Sequence, residues 1–407
     1  MNLISFILPS RNNLKYLKQA YRSIRKNSEH QHEICIASDA STDGTVEWVQ
    51  EIMKEDKNVK LHINEGPERL GHTILYDTLI YDYATHDRVM IFHADMYLCP
   101  KADEEIEKYL EPGKVVSLTR IEPPLHPAGP EKIIEDFGIE PEEFDEQKLM
   151  EFLENEVHYD KGRGIVTEGI FAPWAILKSD WDYIGGHDPI FAPQSKEDSD
   201  IFNRFHLAGY KFKQTWGGFV YHMTCRGSRF KDGAMRNPAG QVFMKGRESS
   251  EWLEQNLKST REFIRKWGHM VKHDKMMKPI VPPKYDVAFV AYNCTKEMLN
   301  ELEPWCSKIY LDLRDSDNMT EYKKEEQPKT STDLDEKMKL YGNSKISELH
   351  DVCVEFDCNQ LNANNFQHLV NLSQIIEDSG EIGVSQLDIF KVYISKLDTY
   401  ENELIRL

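Results

Sequence analysis

Residues 3–24 read LISFILPSRNNLKYLKQAYRSI and contain the first two elements of the fold. Leu3–Leu8 is an apolar run that Pro9 ends, which predicts a buried β-strand. In Leu14–Arg25, leucine, tyrosine and isoleucine side chains recur at helical spacing, which predicts an amphipathic helix. A strand followed directly by a helix is the first half of a βαβ unit.

The same alternation of apolar runs and amphipathic segments continues as far as residue 92. It predicts βαβ units around a mainly parallel α/β sheet flanked by helices. Because ligands of such sheets bind outside the carboxyl ends of the strands, we expect Pro9–Asn13, Asp39–Gly44 and His93–Asp95 at one edge. The further predicted strands are Ile34–Ser38, Val59–Ile63 and Val89–Phe92, and the further predicted helices are Thr45–Met53 and Ile74–Tyr83.

Size and composition limit the class of protein. The chain has 407 residues, of which 40% are hydrophobic, so it is long enough for at least two domains with their own cores. The net charge of -19 argues against nucleic acid as a partner, because phosphates are held by concentrated Lys and Arg. No apolar run reaches the roughly 18 residues of a membrane-spanning helix. The seven cysteines are scattered without a C-x-x-C pair, which predicts a reduced, cytoplasmic compartment.

An acidic residue follows the predicted strand Val89–Phe92 directly, in the segment FHADMY at 92–97. A carboxylate just beyond a buried strand suits a divalent cation that bridges a diphosphate, and we interpret Asp95 as the ligand. His93 has three interpretations: a residue of the outer shell of the metal, a weak metal ligand, or a polar side chain with an ordinary hydrogen-bond partner. The last two are favoured equally.

Two further segments carry polar residues at element ends. In SDASTDGT at 38–45, Asp39 leaves a strand tip and is placed to accept hydrogen bonds from a nucleobase or ribose, although a plain turn and helix cap explains the same letters. In 196–222, Glu197 and Asp198 open a helix, either as caps or as functional carboxylates. The strand that ends this segment places His222 at the same edge as Asp95.

The order of these segments resembles the large inverting glycosyltransferase family with the GT-A fold, family 2. The resemblance covers about residues 1–230 and includes the opening FILPSRNNLKYLKQAYRSI and the HAD at 93–95, where the family has its DxD motif. FAPWAILKSDWDYIGGHD at 171–188, KEDSDIFNRFHLAGYKF and VYH then follow the family's later motifs in order. Each piece is modestly specific, and the ordered set is strong.

The resemblance implies a donor site on the GT-A-type sheet. Pro9 and Arg11 would line the base pocket, and Asp39 would bind the nucleoside of a UDP-, GDP- or dTDP-sugar. Asp95 would hold Mn²⁺ or Mg²⁺ on the diphosphate, with His222 as a further ligand.

The resemblance also implies how the acceptor reacts. Asp198 would be the general base that deprotonates the hydroxyl of a glycan or another acceptor, and Glu197 would orient that base or the acceptor. A single displacement would invert the anomeric configuration of the transferred sugar.

The chain departs from the family pattern in places. His93 stands where the family commonly has the first acid of the DxD. Asp77 falls near the position of a family arginine, for which Arg69 is a possible substitute. The basic residues after His222 either close over the diphosphate or form a solvated loop; they are Arg226, Arg229 and Lys231.

We predict three segments: a catalytic domain over 1–235, a helical segment and linker over 236–283, and a smaller C-terminal α/β domain over 284–407. The last segment is expected to bind the acceptor or to mediate formation of a homo-oligomer. Its residues 289–320 faintly echo residues 6–45, so a degenerate second nucleotide-binding-like domain stays open. The acid-rich segment 131–160 is interpreted as a solvated helical insertion, with a lid as the alternative.

Two other functions compete with the transferase. A sugar nucleotidyltransferase shares the sheet and the metal, but it normally has a Gly-rich, basic N-terminal signature, which PSRNNLKY at 9–16 is not. A non-catalytic nucleotide- or glycan-binding protein on a decayed scaffold fits His93 and the missing arginine. The retention of Asp95, Glu197, Asp198 and His222 argues against it.

Overall fold

The structure is a computed structural model that describes residues 3–155, 167–169, 171–224, 233–244, 248–341 and 346–407. The chain divides into two compact units. The N-terminal unit comprises Met1–Glu254, His273–Pro279 and Leu407, and the C-terminal unit comprises Gln255–Lys272 and Ile280–Arg406. The division falls within the segment 236–283 that was predicted as helix and linker.

A 9-stranded sheet forms the centre of the N-terminal unit. Its strands follow the order β3-β2-β1-β4-β8-β6-β9-β5, with β7 beside β6. The strands are β1 (Ile4–Ser10), β2 (Glu33–Asp39), β3 (Val59–Asn64), β4 (Arg88–Ile91), β5 (Met96–Leu98), β6 (Lys114–Glu122), β7 (Lys132–Ile134), β8 (Trp174–Leu177) and β9 (Lys211–His222). A separate hairpin pairs β10 (Ala234–Arg236) with β11 (Val242–Met244).

Helices flank this sheet. They are α1 (Leu14–Asn27), α2 (Thr45–Glu55), α3 (Gly71–Thr78), α4 (Ala102–Tyr109), α5 (Glu146–Asn155), α6 (Lys178–Ile184) and α7 (Glu197–Leu207). A further helix, α8 (Ser250–Trp267), belongs mostly to the C-terminal unit. A π-helical turn at Leu79–Tyr83 extends α3. In the part of the chain that the structure describes, no helix combines the length and the apolarity needed to cross a bilayer.

The predicted βαβ organisation of the first hundred residues is confirmed. β1 pairs in parallel with both β2 and β4, and β2 pairs in parallel with β3. Strands β1 and β2 are buried throughout, which explains their continuous apolar sequences. Because parallel strands end at one edge, the residues that follow β1, β2 and β4 meet there.

The C-terminal unit contains a 6-stranded sheet in the order β14-β13-β12-β15-β17-β16. This confirms the predicted second, smaller α/β domain. Its strands are β12 (Val287–Tyr292), β13 (Lys308–Leu311), β14 (Met338–Leu340), β15 (Val352–Asp357), β16 (Gly383–Leu387) and β17 (Phe390–Ile394). Its helices are α9 (Lys296–Leu302), α10 (Ser316–Glu326), α11 (Leu334–Lys337), α12 (Ala363–Val370) and α13 (Leu372–Ser379).

The two sheets share one strand order over their first five positions. In each, four parallel strands lie in the order third, second, first, fourth, and an antiparallel strand follows. The registers also correspond: Phe6 pairs with Ile34 and Met90, as Phe289 pairs with Ile309 and Val354. The C-terminal unit thus repeats the architecture of the first half of the N-terminal sheet.

The acid-rich segment differs from the predicted solvated insertion. β7 adds to the sheet, and Leu149 and Leu153 of α5 are fully buried in a cluster with Phe137 and Tyr221. The acids pair with α1: Lys15 and Tyr16 bind Glu140. The amphipathic face of α5 therefore makes this segment part of the core, a pattern that the excess of surface acid conceals.

Candidate active site

The loops after β1 and β2 are joined at the carboxyl edge of the sheet. Asn12 Oδ1 accepts a hydrogen bond from the Thr42 N–H at 2.8 Å. Asp43 Oδ2 accepts one from the Leu14 N–H, also at 2.8 Å, and so fixes the start of α1. The polar segments predicted to meet at one edge are therefore in contact.

The next feature is a cluster of three potential metal ligands. His93, Asp95 and His222 bring one ligand atom each to within 4.8 Å of one another, and no other such group occurs among the described residues. β5 pairs antiparallel with β9, with Met96 opposite His222, which places Asp95 beside the end of β9. His222 Nε2 lies 3.4 Å from Asp95 Oδ1.

Glu122, the residue that orients His222, has no recognisable signal in the sequence. Glu122 is buried, and its Oε1 lies 2.8 Å from His222 Nδ1. β6 and β9 run in parallel with Ile121 opposite Tyr221, so the next residue of each strand comes side by side. Lys132 holds the other Glu122 oxygen at 3.1 Å. A carboxylate on Nδ1 leaves Nε2 facing the cluster, the usual outer-shell arrangement of a metal-binding histidine.

Electrostatics in this cluster favour a positive charge. Burial raises the pKa of Asp95, but His222 outweighs burial and lowers it to about 2. Burial lowers the pKa of His222, but the Asp95 and Glu122 carboxylates outweigh burial and raise it to about 9. At neutral pH an imidazolium therefore stands between two carboxylates, and a metal ion would replace its proton.

His93, unlike His222, is uncharged at neutral pH. Burial lowers its pKa to about 3, against the attraction of Asp95, so its imidazole is neutral. A neutral imidazole is the form that ligates a metal. His72 of α3 stacks on His93 with ring centroids 6.1 Å apart, and burial also lowers the pKa of His72, to about 4.

Asp39 is engaged by the protein itself. Its Oδ1 accepts hydrogen bonds from Asn64 Nδ2 at 2.8 Å and the Leu70 N–H at 3.0 Å, and its Oδ2 accepts one from the Gly71 N–H at 3.0 Å. Arg69 Nε lies 3.5 Å from Oδ2. Asp39 thus fixes the start of α3 and the position of Arg69; its contact with a nucleoside stays a prediction.

The rest of the predicted base pocket lies at the same edge. Pro9 is buried near the end of β1, and Arg11 follows it, partly buried. Burial lowers the pKa of Arg69, and the charge of Arg11 lowers it further while Asp39 opposes both. Two guanidinium groups therefore lie close enough to interact at the tips of β1 and β3.

Gly71 permits a close approach of α3 to the segment before α7. A Cβ at this position would lie 1.9 Å from the Pro193 carbonyl oxygen, and the φ of +75° also favours glycine. No side chain fits there. The contact holds the first turn of α3, and so His72, against the loop that leads to Glu197.

Glu197 and Asp198 begin α7 and differ in environment. Asp198 is exposed, and its Oδ1 accepts a hydrogen bond from the Ser199 N–H at 2.6 Å. Glu197 Oε2 is buried and has no hydrogen-bond partner in the described structure. Burial and the charge of Asp198 raise the pKa of Glu197 to about 8.

Two residues hold the GGHD turn at 185–188. The Asp77 carboxylate accepts a hydrogen bond from the His187 N–H at 2.8 Å. Arg204, fully buried, donates to the Ile184 and Gly186 carbonyl oxygens at 3.0 and 2.6 Å. Asp77, at the position of the family arginine, is therefore a support for this turn. Arg226, Arg229 and Lys231 lie outside the described residues.

A comparison with protein-family models adds to this geometry. Residues 5–161 match the model of glycosyl transferase family 2. This segment is therefore similar to the family 2 glycosyl transferase domain. The match includes Asp39 and the His93–Asp95 segment, whereas Glu197, Asp198 and His222 come after it.

Solved structures with similarity to the chain include two transferase complexes. One is GalNAc-T7 with UDP, GalNAc and Mn²⁺, at 14% identity and a TM-score of 0.41, over 54% of this chain and 43% of that one. Another is the mannosyltransferase PcManGT from Pyrobaculum calidifontis with GDP-Man and Mn²⁺, at 16% identity and a TM-score of 0.42, over 68% of this chain and 66% of that one. The chain thus spans less than two thirds of either protein. No curated protein matches it.

Proposed function

We propose that the chain is a metal-dependent, inverting glycosyltransferase that moves a sugar from a nucleotide-sugar donor to an acceptor hydroxyl. The observation that carries this proposal is the cluster of His93 and Asp95, which follow β4, with His222, which ends β9. β4, His93 and Asp95 lie in the segment that matches the family 2 model. It lies at the sheet edge that also carries Asp39.

The three side chains fit one divalent cation. Ligand atoms about 2.0–2.3 Å from one ion lie within about 4.6 Å of one another, close to the observed spread of 4.8 Å. Two imidazoles and a carboxylate suit a first-row transition ion better than Mg²⁺, which prefers oxygen. We therefore favour Mn²⁺ over Mg²⁺. The bound ion would neutralise the charge that develops on the diphosphate leaving group.

The donor nucleoside would bind across the tips of β1 and β2. Pro9 and Arg11 follow β1, and Asp39 ends β2. Arg69, held beside Asp39, supplies a second guanidinium near Arg11 for the anionic part of the donor. Arg69 thus fills the role of the family arginine, and Asp77 does not.

Asp198 is the proposed general base. It is exposed to an approaching acceptor, it lies at the N-terminus of α7, where the helix dipole favours an ionised carboxylate, and Ser199 orients it. The acceptor oxygen attacks the anomeric carbon as the bond from that carbon to the diphosphate oxygen breaks. The hydroxyl proton passes to Asp198, and the configuration inverts.

A thermal-shift screen tests this function. UDP-, GDP- and dTDP-sugars are each added with Mn²⁺, with Mg²⁺ and with EDTA. We expect one nucleotide to stabilise the protein with Mn²⁺, by about 2.7 kcal/mol at a hundredfold excess over the dissociation constant, and not with EDTA. The absence of a metal-dependent shift with every donor would contradict the proposal.

The chain offers a matched control for the metal site. Asp103 and His32 form another buried carboxylate–imidazole pair, 2.9 Å apart, outside the cluster. Asp103→Asn should lower the melting temperature and keep the Mn²⁺-dependent shift, whereas Asp95→Asn should abolish that shift. Proton NMR of the product from an active donor then reports whether the anomeric configuration inverts.

A further inference from the structure

Tyr76, on α3, has a buried hydroxyl group with no hydrogen-bond partner among the described residues. Its side chain is only 5% exposed. A buried hydroxyl group without a hydrogen-bond partner destabilises the folded state. Unsatisfied buried groups are uncommon in native proteins, and each asks for an explanation. A phenylalanine would pack the same ring without this cost.

The surroundings of Tyr76 place it inside the candidate active site. Its ring lies 5.6 Å from that of His72, which stacks on His93. On the other side its ring lies 5.7 Å from His187 of the GGHD turn. The Tyr76 ring therefore lies between the histidine that stacks on His93 and the GGHD turn. Burial raises the pKa of its hydroxyl group.

A second unsatisfied atom lies in the same region. Glu197 Oε2 is also buried and also without a partner in the described part of the chain. Tyr76 lies on α3, whose first residue, Gly71, is in close contact with Pro193 of the segment that leads to Glu197. A hydroxyl and a carboxyl oxygen that lack partners together form a site for a ligand with hydroxyl groups, which donate and accept hydrogen bonds at once.

We propose that the Tyr76 hydroxyl and Glu197 Oε2 bind hydroxyl groups of the transferred sugar and so select the donor. The inference rests on the proposed function. In that function the diphosphate lies at the metal cluster and the acceptor lies at Asp198, so the transferred sugar ring lies between them, where Tyr76 is found. Tyr76 is then a specificity-determining residue rather than part of the nucleotide pocket.

This role predicts a particular pattern of affinities. A site built to hydrogen-bond a hydroxyl loses discrimination when its own polar group is removed. Tyr76→Phe should therefore lower the affinity for the nucleotide-sugar at least tenfold. The affinity for the nucleoside diphosphate should stay within about twofold of the wild-type value. Glu197→Gln keeps a polar atom at the same place, so it should lower the affinity for the nucleotide-sugar less than Tyr76→Phe does.

Calorimetric titration with Mn²⁺ tests this pattern on the full chain. The probes are three pairs: UDP and UDP-glucose, GDP and GDP-mannose, dTDP and dTDP-glucose. Tyr21→Phe is the control, because it removes a hydroxyl that donates to Asp56 at 2.9 Å on the outer side of α1. Tyr21→Phe should leave the affinities for both members of the pair that binds the wild-type chain unchanged.

The outcomes are distinct. Selective loss of nucleotide-sugar affinity in Tyr76→Phe, at an unchanged melting temperature, supports the inference. Unchanged affinity for the nucleotide-sugar, or equal losses for both members of a pair, overturns it while the proposed function stands. Failure of the wild-type chain to bind every pair overturns the proposed function, and this inference with it.

Discussion

The two sheets of this protein share a strand order and a register, and they differ in what stands at the strand ends. Counted from the paired positions Met90 and Val354, His93 corresponds to Asp357 and Asp95 to Asn359. Asp357 binds residues of its own sheet edge: it accepts hydrogen bonds from Asn293 Nδ2 at 2.9 Å and from the Asn359 N–H at 3.0 Å. The repeated architecture therefore does not by itself make a metal site.

The two sheets differ in the strands that follow the five whose order they share. The N-terminal sheet continues from β8 to β6, β9 and β5, and these strands supply Glu122 and His222. The C-terminal sheet continues only to β16, an edge strand whose residues are mostly exposed. The parallel strands thus provide the edge that carries His93 and Asp95, and the added strands provide Glu122 and His222.

The largest expected difference in activity is between substitutions at the corresponding positions Asp95 and Asn359. Asp95→Ala should lower kcat/KM by about a thousandfold, because it removes the one carboxylate ligand that the diphosphate site needs. Asn359→Ala, at the corresponding place in the C-terminal unit, should leave kcat/KM within twofold. Steady-state assays at saturating Mn²⁺ measure both, and similar losses in the two variants would contradict the distinction.

The buried charges of the C-terminal unit should matter for stability alone. Glu303 is fully buried and binds Arg265 at 2.6 Å and Lys337 at 2.8 Å. Glu303→Gln should lower the free energy of unfolding by about 3–5 kcal/mol, because it leaves buried cations unpaired. Urea denaturation measures this loss, and donor affinity of the folded fraction should not change.

The same residue predicts a pH dependence. Burial raises the pKa of Glu303, but Lys337 and Arg265 outweigh burial and lower it to about 2. The unfolded chain therefore takes up this proton first as pH falls, so the stabilisation is complete above about pH 4.5 and is lost between there and about pH 2. Glu303→Gln should flatten the unfolding free energy over that range; an unchanged slope would argue against the ion cluster.

Glu122 tests whether the added strands complete the site. Glu122→Gln should weaken Mn²⁺ binding about 10–100-fold, because it removes the carboxylate that orients His222. Mn²⁺ titration followed by electron paramagnetic resonance measures this affinity. Retention of wild-type Mn²⁺ affinity would show that β6 contributes only to packing.

The contribution of Glu197 to stability should change with pH in the opposite direction to that of Glu303. Its pKa is raised to about 8, so the folded state holds a proton that the unfolded chain releases, and stability falls as pH rises from about 4.5 to about 8. Glu197→Gln should therefore raise the free energy of unfolding at pH 8 by about 1–2 kcal/mol while lowering transfer at least tenfold. Chemical denaturation in EDTA checks the stability, and destabilisation at that pH would contradict the assignment.

Much of the fold could be predicted from the sequence because its signals are local. Continuous apolar runs gave β1 and β2 to within two residues at each end, and helical periodicity gave α1 and α2 equally well. The meeting of His93–Asp95 with Asp39 at one edge followed from the parallel order alone. Even the faint likeness of residues 289–320 to residues 6–45 corresponds to a shared strand order.

What could not be predicted depends on long-range pairing. Glu122 meets His222 only because β6 and β9 pair across a register shift near Leu118, and no local pattern encodes that pairing. The burial of Glu197 Oε2 beside the exposed Asp198 also depends on tertiary packing, which the adjacent acidic letters do not reveal. The acid-rich segment does contain the predicted helix, α5, but the acidic sequence did not reveal that Leu149 and Leu153 are buried in the core.

Crystals grown with Mn²⁺ and the nucleotide-sugar that passes the thermal-shift screen would locate the metal through anomalous diffraction from manganese. We expect one strong anomalous peak within bonding distance of His93, Asp95 and His222, adjacent to the diphosphate. A peak elsewhere in the chain, at the edge that carries Asp357 for example, would contradict this expectation, as would a bound nucleotide with no manganese beside it.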